Sequence, residues 1–328
     1  MIAELAEKLK RRVAPWVWNI IGRELEKTRP FPVHRNPQVE LHTMLSRNDL
    51  VPYIVAMKSL LRFLTDVKFA IVVHLDGAWT AAERGRLATH FPGVLCIDEK
   101  TARLHCETAE GRDSFAARQR SVYVSWRRLI DTQLFRGCDR LINMDSDVLC
   151  LNAPTDLLKW LDGDSLPIVI GQTNGDSTPE KLDGRNWYTP SSESSPGALP
   201  VQSQFLSCLS SLSAATGLPL RFLDGGCAGL HGHHAELRIA EVQRLVEAAE
   251  RLGVPMNKWG AEQSTVVYLL SANGARRLDP RLNFNFFPEQ RPNMSSAEIV
   301  HFIGLSRYHR WIYPRLGRRI VASSDLIA

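Results

Sequence analysis

The sequence predicts an α/β fold, a single domain with a mixed, mostly parallel central sheet flanked by helices. Three observations carry this. Between residues 39 and 97, apolar strand-like runs alternate with helix-period segments at short spacing. That order builds parallel sheets with helices on their faces. The run 68–75 (Lys-Phe-Ala-Ile-Val-Val-His-Leu) is continuous enough for a strand buried on both sides, and it stops at Asp76-Gly77. The run Leu141, Ile142 leads into Asp145-Ser146-Asp147, with Val148 and Leu149 behind it. Polar groups then stand at the carboxyl end of a strand, where ligands bind in such sheets.

The elements follow in order. Residues 2–25 have a helical apolar period through Leu5, Leu9, Val13, Trp16, Val17, Ile20 and Ile21. Basic residues and Trp16 and Trp18 suit either an interfacial membrane helix or a helix packed on the domain or on another subunit. Pro30, Pro32 and Pro37 end it. Residues 39–46 read as a strand, 48–63 as a helix, 68–75 as a strand and 80–91 as a helix. Pro92-Gly93 then turns into a strand at 94–97. A helix at 122–135 precedes the Asp145 strand. Residues 173–200 read as a long loop, rich in Gly, Pro and Ser, with Trp187 and Tyr188 inside it; such loops serve as lids or binding loops. Residues 222–231 are small and suit close backbone approach by a ligand. Glu262 and Gln263 open a helix, and 299–304 is a short strand carrying His301. The expected boundaries are 1–34 for the helix and linker, 35–314 for the domain and 315–328 for a tail.

Two carboxylates beside a core are costly unless a cation satisfies them. Along a strand, positions i and i+2 share a side, so Asp145 and Asp147 can reach one divalent ion. An Asx-rich turn is the alternative for the tripeptide alone. The cluster His231-Gly232-His233-His234 follows a glycine turn, has no nearby carboxylate pair and reads as a solvated loop.

Composition narrows the classes. The 328 residues are 44% hydrophobic and 23% charged, ample for a core. A net charge of +5 falls below a dedicated nucleic-acid binder and suits anionic substrates or a site near an anionic membrane surface. No nucleic acid is expected as partner. The 6 cysteines form no Cys-x-x-Cys pair and read as free thiols of a reducing, cytoplasmic compartment. No apolar stretch is long enough to span a bilayer, and the charged N-terminus does not resemble a signal peptide. No glycine-rich phosphate loop is present.

These pieces in this order resemble metal-dependent glycosyltransferases of the GT-A (Rossmann-like) fold, nearest to glycosyltransferase family 8 and glycogenin-like enzymes, over roughly residues 39–310. The likeness rests on Trp126-Arg127-Arg128-Leu129, Asp145-Ser146-Asp147, Gly226-Cys227-Ala228-Gly229-Leu230, Glu262-Gln263 and His301-Phe302-Ile303-Gly304. It implies Asp145, Asp147 and His301 as ligands of Mn²⁺ or Mg²⁺. It implies Ser46, Arg128, Ser146, Gly304 and Arg307 around a nucleotide-sugar donor, a UDP-sugar foremost, with Arg127 and Arg310 as second choices. Glu262, Gln263 and Asp224 are implied near the reacting sugar. The acceptor is a glycan, a lipid-linked molecule or a protein. The likeness favours retention, in which a group under the anomeric carbon stabilises the oxocarbenium-like state; in an inverting enzyme Glu262 is the base. Two departures stand out. The family's Asn before Ala-Gly is absent near Gly226, and Arg307 stands where the family has Lys-Pro-Trp. A sugar-nucleotide nucleotidyltransferase and a non-catalytic nucleotide- or glycan-binding relative are the alternatives.

Overall fold

The computed structural model describes residues 2–171, 200–223, 225–234, 237–290 and 292–327. The expected loop at 173–200, apart from Pro200, lies outside them, as do Trp187, Tyr188 and Asp224.

Helix α1 (Ile2–Leu25) leads to β1 (Val39–Ser46), α2 (Leu50–Leu61), β2 (Phe69–Asp76), α3 (Ala81–His90) and β3 (Leu95–Asp98). The expected strand–helix alternation is therefore present. Thr80 and Glu83 form a reciprocal capping box at the start of α3, which fixes where that helix begins. Next come α4 (Glu99–Glu110), α5 (Phe115–Val122) and α6 (Trp126–Leu134). The helix expected at 122–135 is thus shorter, because Tyr123 adopts extended backbone and separates it from α5. Strands β4 (Leu141–Met144) and β5 (Val148–Cys150), α7 (Thr155–Leu161) and β6 (Ile168–Gly171) follow. The remainder is α8 (Val201–Ser207), α9 (Leu209–Thr216), β7 (Gly226–His233), α10 (Ile239–Arg251), α11 (Ala261–Ala272), β8 (Arg276–Arg277), β9 (Asn283–Asn285), β10 (Ile299–His301) and α12 (Ile312–Val321).

Among the described residues the strands form one 10-stranded sheet in the order β3-β2-β1-β4-β7-β6-β9-β10-β5, with β8 beside β6. Pairing is parallel along β3-β2-β1-β4 and β6-β9-β10, and antiparallel where β7 meets β4 and β6 and where β5 meets β10. The sheet is mixed and mostly parallel, flanked by helices. One apolar cluster joins Leu41 and Leu45 of β1 to α1, α2 and α12. A second joins Ala228 of β7 to α6, α8, α10 and α11.

Helix α1 packs on the domain. Ala14, Trp18, Ile21 and Leu25 are buried, and Trp18 lies 5.0 Å from the Tyr313 ring of α12. Gly317 makes this approach possible, since a Cβ there would stand 3.1 Å from Trp18. Trp16 stays 65% exposed. No helix among the described residues is long and apolar enough to cross a membrane.

The stretch 231–234 corrects the solvated-loop expectation. His231 and His233 are buried in β7, a central strand, and their rings stack at 5.8 Å. The glycines around them read as a turn, yet here they let Trp160 approach the strand: a Cβ on Gly232 would meet its ring at 3.0 Å. A buried polar layer continues along the sheet. His42 Nδ1 lies 3.0 Å from His74 Nε2, and His42 Nε2 lies 3.3 Å from Glu40 Oε2. Gly137 N donates to the same Glu40 oxygen at 2.8 Å. Burial lowers the pKa of His42, His74 and His231, with Glu40 only partly opposing it at His42. The cations Arg136, Arg120 and Arg128 add to this from the surrounding elements.

A pH dependence follows. Below about pH 6.5 the unfolded chain protonates these histidines while the folded chain resists. Stability is therefore lost as pH falls from about 6.5 toward the lower folded values, by up to about 1.4 kcal/mol per pH unit for each histidine kept neutral. Thermal unfolding measured between pH 7.5 and about 5 is expected to show a falling midpoint. The double variant His42→Gln/His74→Gln is expected to flatten that fall; an equally steep profile would count against the buried layer as its source.

Candidate metal centre

Strand register brings the site together. Strand β4 ends at Met144, opposite Leu230 of β7, so Asp145 emerges beside Gly229 and its N–H donates to the Gly229 carbonyl at 2.8 Å. Strand β5 begins at Val148, opposite His301, which closes β10. Strand β9 sets Asn285 beside His301. The turn between β4 and β5 is pinned from two sides. Thr43 Oγ1 donates to the Met144 carbonyl at 2.8 Å, and the Tyr313 hydroxyl donates to the Ser146 carbonyl at 3.0 Å.

Asp145, Asp147 and His301 converge, each offering one ligand atom, all within 4.8 Å of one another. His301 Nε2 stands 3.1 Å from Asp147 Oδ1 and 3.6 Å from Asp145 Oδ2. The other carboxylate oxygens are held by arginines. Arg128 Nη1 donates to Asp145 Oδ1 at 2.5 Å, and Arg307 Nε and Nη2 reach Asp147 Oδ2 at 2.7 and 2.6 Å. The two outer oxygens therefore face guanidiniums, and the two inner ones face the imidazole.

Three features fit a divalent cation between the inner atoms. Asp147 is buried, and its Oδ1 turns away from the guanidiniums and toward His301 Nε2. His301 Nδ1 lies 2.9 Å from Asn285 Oδ1, an oxygen that only accepts, so Nδ1 carries the hydrogen and Nε2 is turned to the carboxylates. Gly229 leaves room for the ring, since a Cβ there would stand 2.1 Å from His301 Cε1. Two carboxylates and an imidazole form a donor set suited to Mn²⁺ or Mg²⁺, with the nitrogen favouring Mn²⁺. The electrostatics agree. Burial alone would raise the Asp147 carboxyl, but Arg307 and His301 outweigh it and hold it below the ordinary carboxylate range. Burial alone would lower His301, but Asp147 outweighs it and raises the imidazole. Without a metal, a proton takes the place of a cation there.

The other expected residues fall around this centre. Glu262, buried at the start of α11, binds Arg128 through both oxygens, at 3.0 and 2.6 Å. Gln263 points elsewhere and lines a cleft with Phe222, Gly226 and Tyr268. Ser46 closes β1, where its hydroxyl donates to Asp49 Oδ2 at 2.8 Å, and Asp49 Oδ1 receives Arg307 Nη1 at 3.1 Å. Ser146 is buried between the two aspartates, and Gly304 makes the turn after β10 at φ +52°. Arg127 faces away toward Glu99 and Asp76, at 3.1 and 3.5 Å. Arg310 is exposed with φ +45°. The structure adds Asp49, Gly229 and Asn285. Of these, Gly229 has a signal in the small-residue segment 222–231, whereas Asn285 ends the short strand Asn-Phe-Asn without one.

No protein-family profile and no curated protein matches the sequence. Solved structures with a similar outline are glycosyltransferases. The galactosyltransferase LgtC, solved with donor and acceptor sugar analogues, is 14% identical with a TM-score of 0.47, covering 86% of this chain and 95% of its own. Mouse xyloside xylosyltransferase 1 is 13% identical with a TM-score of 0.46, covering 83% and 98%. Core-mannan synthase A of Aspergillus fumigatus, in a Mn/GDP form, is 10% identical with a TM-score of 0.42, covering 77% and 76%. None of these likenesses lends a role to a residue of this chain.

Proposed function

We propose that this chain is a metal-dependent glycosyltransferase of the GT-A type, moving a sugar from a nucleotide sugar, a UDP-sugar foremost, to a hydroxyl of a glycan, lipid-linked or protein acceptor. One observation carries the reading: an Asp-Asp-His triad whose inner carboxylate oxygens turn toward one imidazole, within reach of a single ion, while arginines hold the outer oxygens.

In this reading Asp145, Asp147 and His301 hold Mn²⁺ or Mg²⁺. The bound ion supplies Lewis-acid stabilisation of the leaving diphosphate. Asn285 fixes the imidazole so that Nε2 faces the ion. Arg128 and Arg307 are cations already in place where negative charge grows. Glu262 commits both oxygens to Arg128, so it orients that guanidinium, and Gln263 faces the sugar. Ser46 and Asp49 set Arg307, while Ser146 and Gly304 shape the turns around the donor. Residues 35–314 form the catalytic unit. The first and last helices carry exposed Trp16 and the exposed basic residues Arg315 and Arg319, which suit contact with an anionic membrane surface where a lipid-linked acceptor resides.

The test is purified protein with Mn²⁺ and a panel of UDP- and GDP-sugars, followed by nucleotide release with and without chelator. Release of the nucleoside diphosphate from one donor, abolished by chelator, is expected. Release of pyrophosphate from a nucleoside triphosphate plus sugar phosphate would identify a nucleotidyltransferase instead. Glu262→Gln breaks one charge-assisted bond to Arg128, and a fall in kcat of about 10- to 100-fold with metal affinity retained is expected. Unchanged kcat would remove Glu262 from the machinery.

A further inference from the structure

Gln202 lies in α8, outside every motif that marks the centre. Its side chain is only 8% exposed, yet its Oε1 has no hydrogen-bond partner. The amide is seated on Gly260, the residue that precedes α11. A Cβ at Gly260 would stand 2.5 Å from Gln202 Nε2 and 2.7 Å from Oε1. Gly260 has φ +90°, a conformation glycine adopts without strain. The chain thus keeps this position open and fills the space with an amide.

The amide lines a small cleft together with Phe222, Gly225, Gly226, Gln263 and Tyr268. Among the described residues, no charged side chain lines it. The hydroxyl of Ser264, also in the lining, donates to the Gly260 carbonyl at 2.8 Å, and Tyr268 stacks on Phe205 at 5.6 Å. The amides of Gln202 and Gln263 are left to meet a ligand. Among the described residues the cleft offers a phosphate no cation, since Arg128 and Arg307 stand at the triad instead. The cleft is small, about 20 Å³, so a neutral ligand would reach it by one edge, with a hydroxyl presented to the amides.

The cleft adjoins the metal centre through two runs of chain. Gln263 follows Glu262, which grips Arg128. Gly226 opens β7, whose Gly229 backs His301 three residues on. A ligand spanning from the triad to this cleft would place its charged part on the cations and its neutral part between the two amides.

We infer that Gln202 is a specificity-determining residue, whose Oε1 accepts a hydrogen bond from a hydroxyl of the transferred sugar. The inference rests on the glycosyltransferase reading and adds the residue that distinguishes one sugar from its epimers. A buried acceptor built for a hydroxyl rejects a sugar that presents none there.

Binding calorimetry in Mn²⁺ tests it, with UDP, UDP-glucose, UDP-galactose and UDP-N-acetylglucosamine on the wild type, Gln202→Leu and Gln202→Glu. Gln202→Leu keeps the volume and removes the acceptor; Gln202→Glu restores acceptor oxygens. Gln202→Leu is expected to weaken the preferred nucleotide sugar about tenfold, to narrow its margin over the others, and to leave UDP unchanged. Gln202→Glu is expected to recover part of the loss. The retained affinity for UDP shows that each variant is folded. Equal losses for UDP and the nucleotide sugar, or no loss for either, would overturn the assignment and leave the glycosyltransferase reading intact. A wild type that binds none of these ligands with Mn²⁺ would overturn that reading and this assignment with it.

Discussion

Asp147→Asn is expected to abolish divalent-metal binding and metal-dependent turnover together. Its two oxygens face opposite ways: Oδ1 toward His301 Nε2 at 3.1 Å, and Oδ2 toward Arg307 Nη2 at 2.6 Å. An amide can keep only one of them. If the nitrogen turns to Arg307, two donors oppose each other. If it turns inward, the metal loses a ligand and meets N–H groups instead. Mn²⁺ affinity should fall by about 100-fold or more, beyond what loss of a supporting residue costs. The metal-free protein should also lose about 1–3 kcal/mol of stability, because half-buried Arg307 loses a charged acceptor and keeps Asp49 and the Phe302 carbonyl. Titration followed by the paramagnetic resonance of free Mn²⁺ reads the first effect, and thermal unfolding reads the second. Wild-type Mn²⁺ affinity in this variant would mean that Asp147 is not a ligand.

Gly229→Ala carries the second large effect, and it reaches the metal without touching a ligand. The new Cβ would stand 2.1 Å from His301 Cε1 and 2.3 Å from Nδ1. His301 sits in a paired, buried strand, and Gly229, at the register shift of β7 against β6, is held by the Asp145 N–H on its carbonyl, so the backbone has little freedom to give way. The imidazole must leave its place, which breaks the 2.9 Å contact with Asn285 and turns Nε2 from the carboxylates. Overpacking of this kind costs about 1–3 kcal/mol. Mn²⁺ affinity should drop about as far as in His301→Ala, while the protein still folds. Gly85→Ala is the control: nothing lies within 4 Å of the added atom, and α3 should gain a few tenths of a kcal/mol with Mn²⁺ binding unchanged. If Gly229→Ala bound Mn²⁺ like the wild type, the ring would not need the space that the glycine leaves.

How far the sequence was legible depended on how local each signal was. Strand β1 was read at its observed bounds, and β2 to within a residue, because continuous apolar runs end at polar turns. Asp145 and Asp147 stood out because apolar runs on both sides declared the turn buried. The partners of these residues were another matter. Arg128 and Glu262 are 134 positions apart, and Arg307 and Asp49 are 258 apart. Nothing in local periodicity couples such positions; only the sheet order does. The same holds for Gly229 and Asn285, which matter because antiparallel β7 and parallel β9 lie against the ends of β4 and β10. His231 and His233 were misread for a related reason. A glycine-rich, histidine-rich segment resembles a solvated turn until a tryptophan from α7 covers it. The expected pair Glu262-Gln263 also divides in space, one side chain to Arg128 and the other to the neutral cleft. Helical neighbours point in different directions, so adjacency in sequence did not foretell adjacency of role.

The most direct test of the account is a crystal of this protein soaked with MnCl₂ and UDP, examined at the manganese absorption edge. One anomalous peak is expected, bonded to Asp145, Asp147 and His301, with the diphosphate of UDP on the same ion and near Arg128 and Arg307. A diphosphate bound elsewhere, or no peak within reach of these three side chains at saturating Mn²⁺, would contradict it.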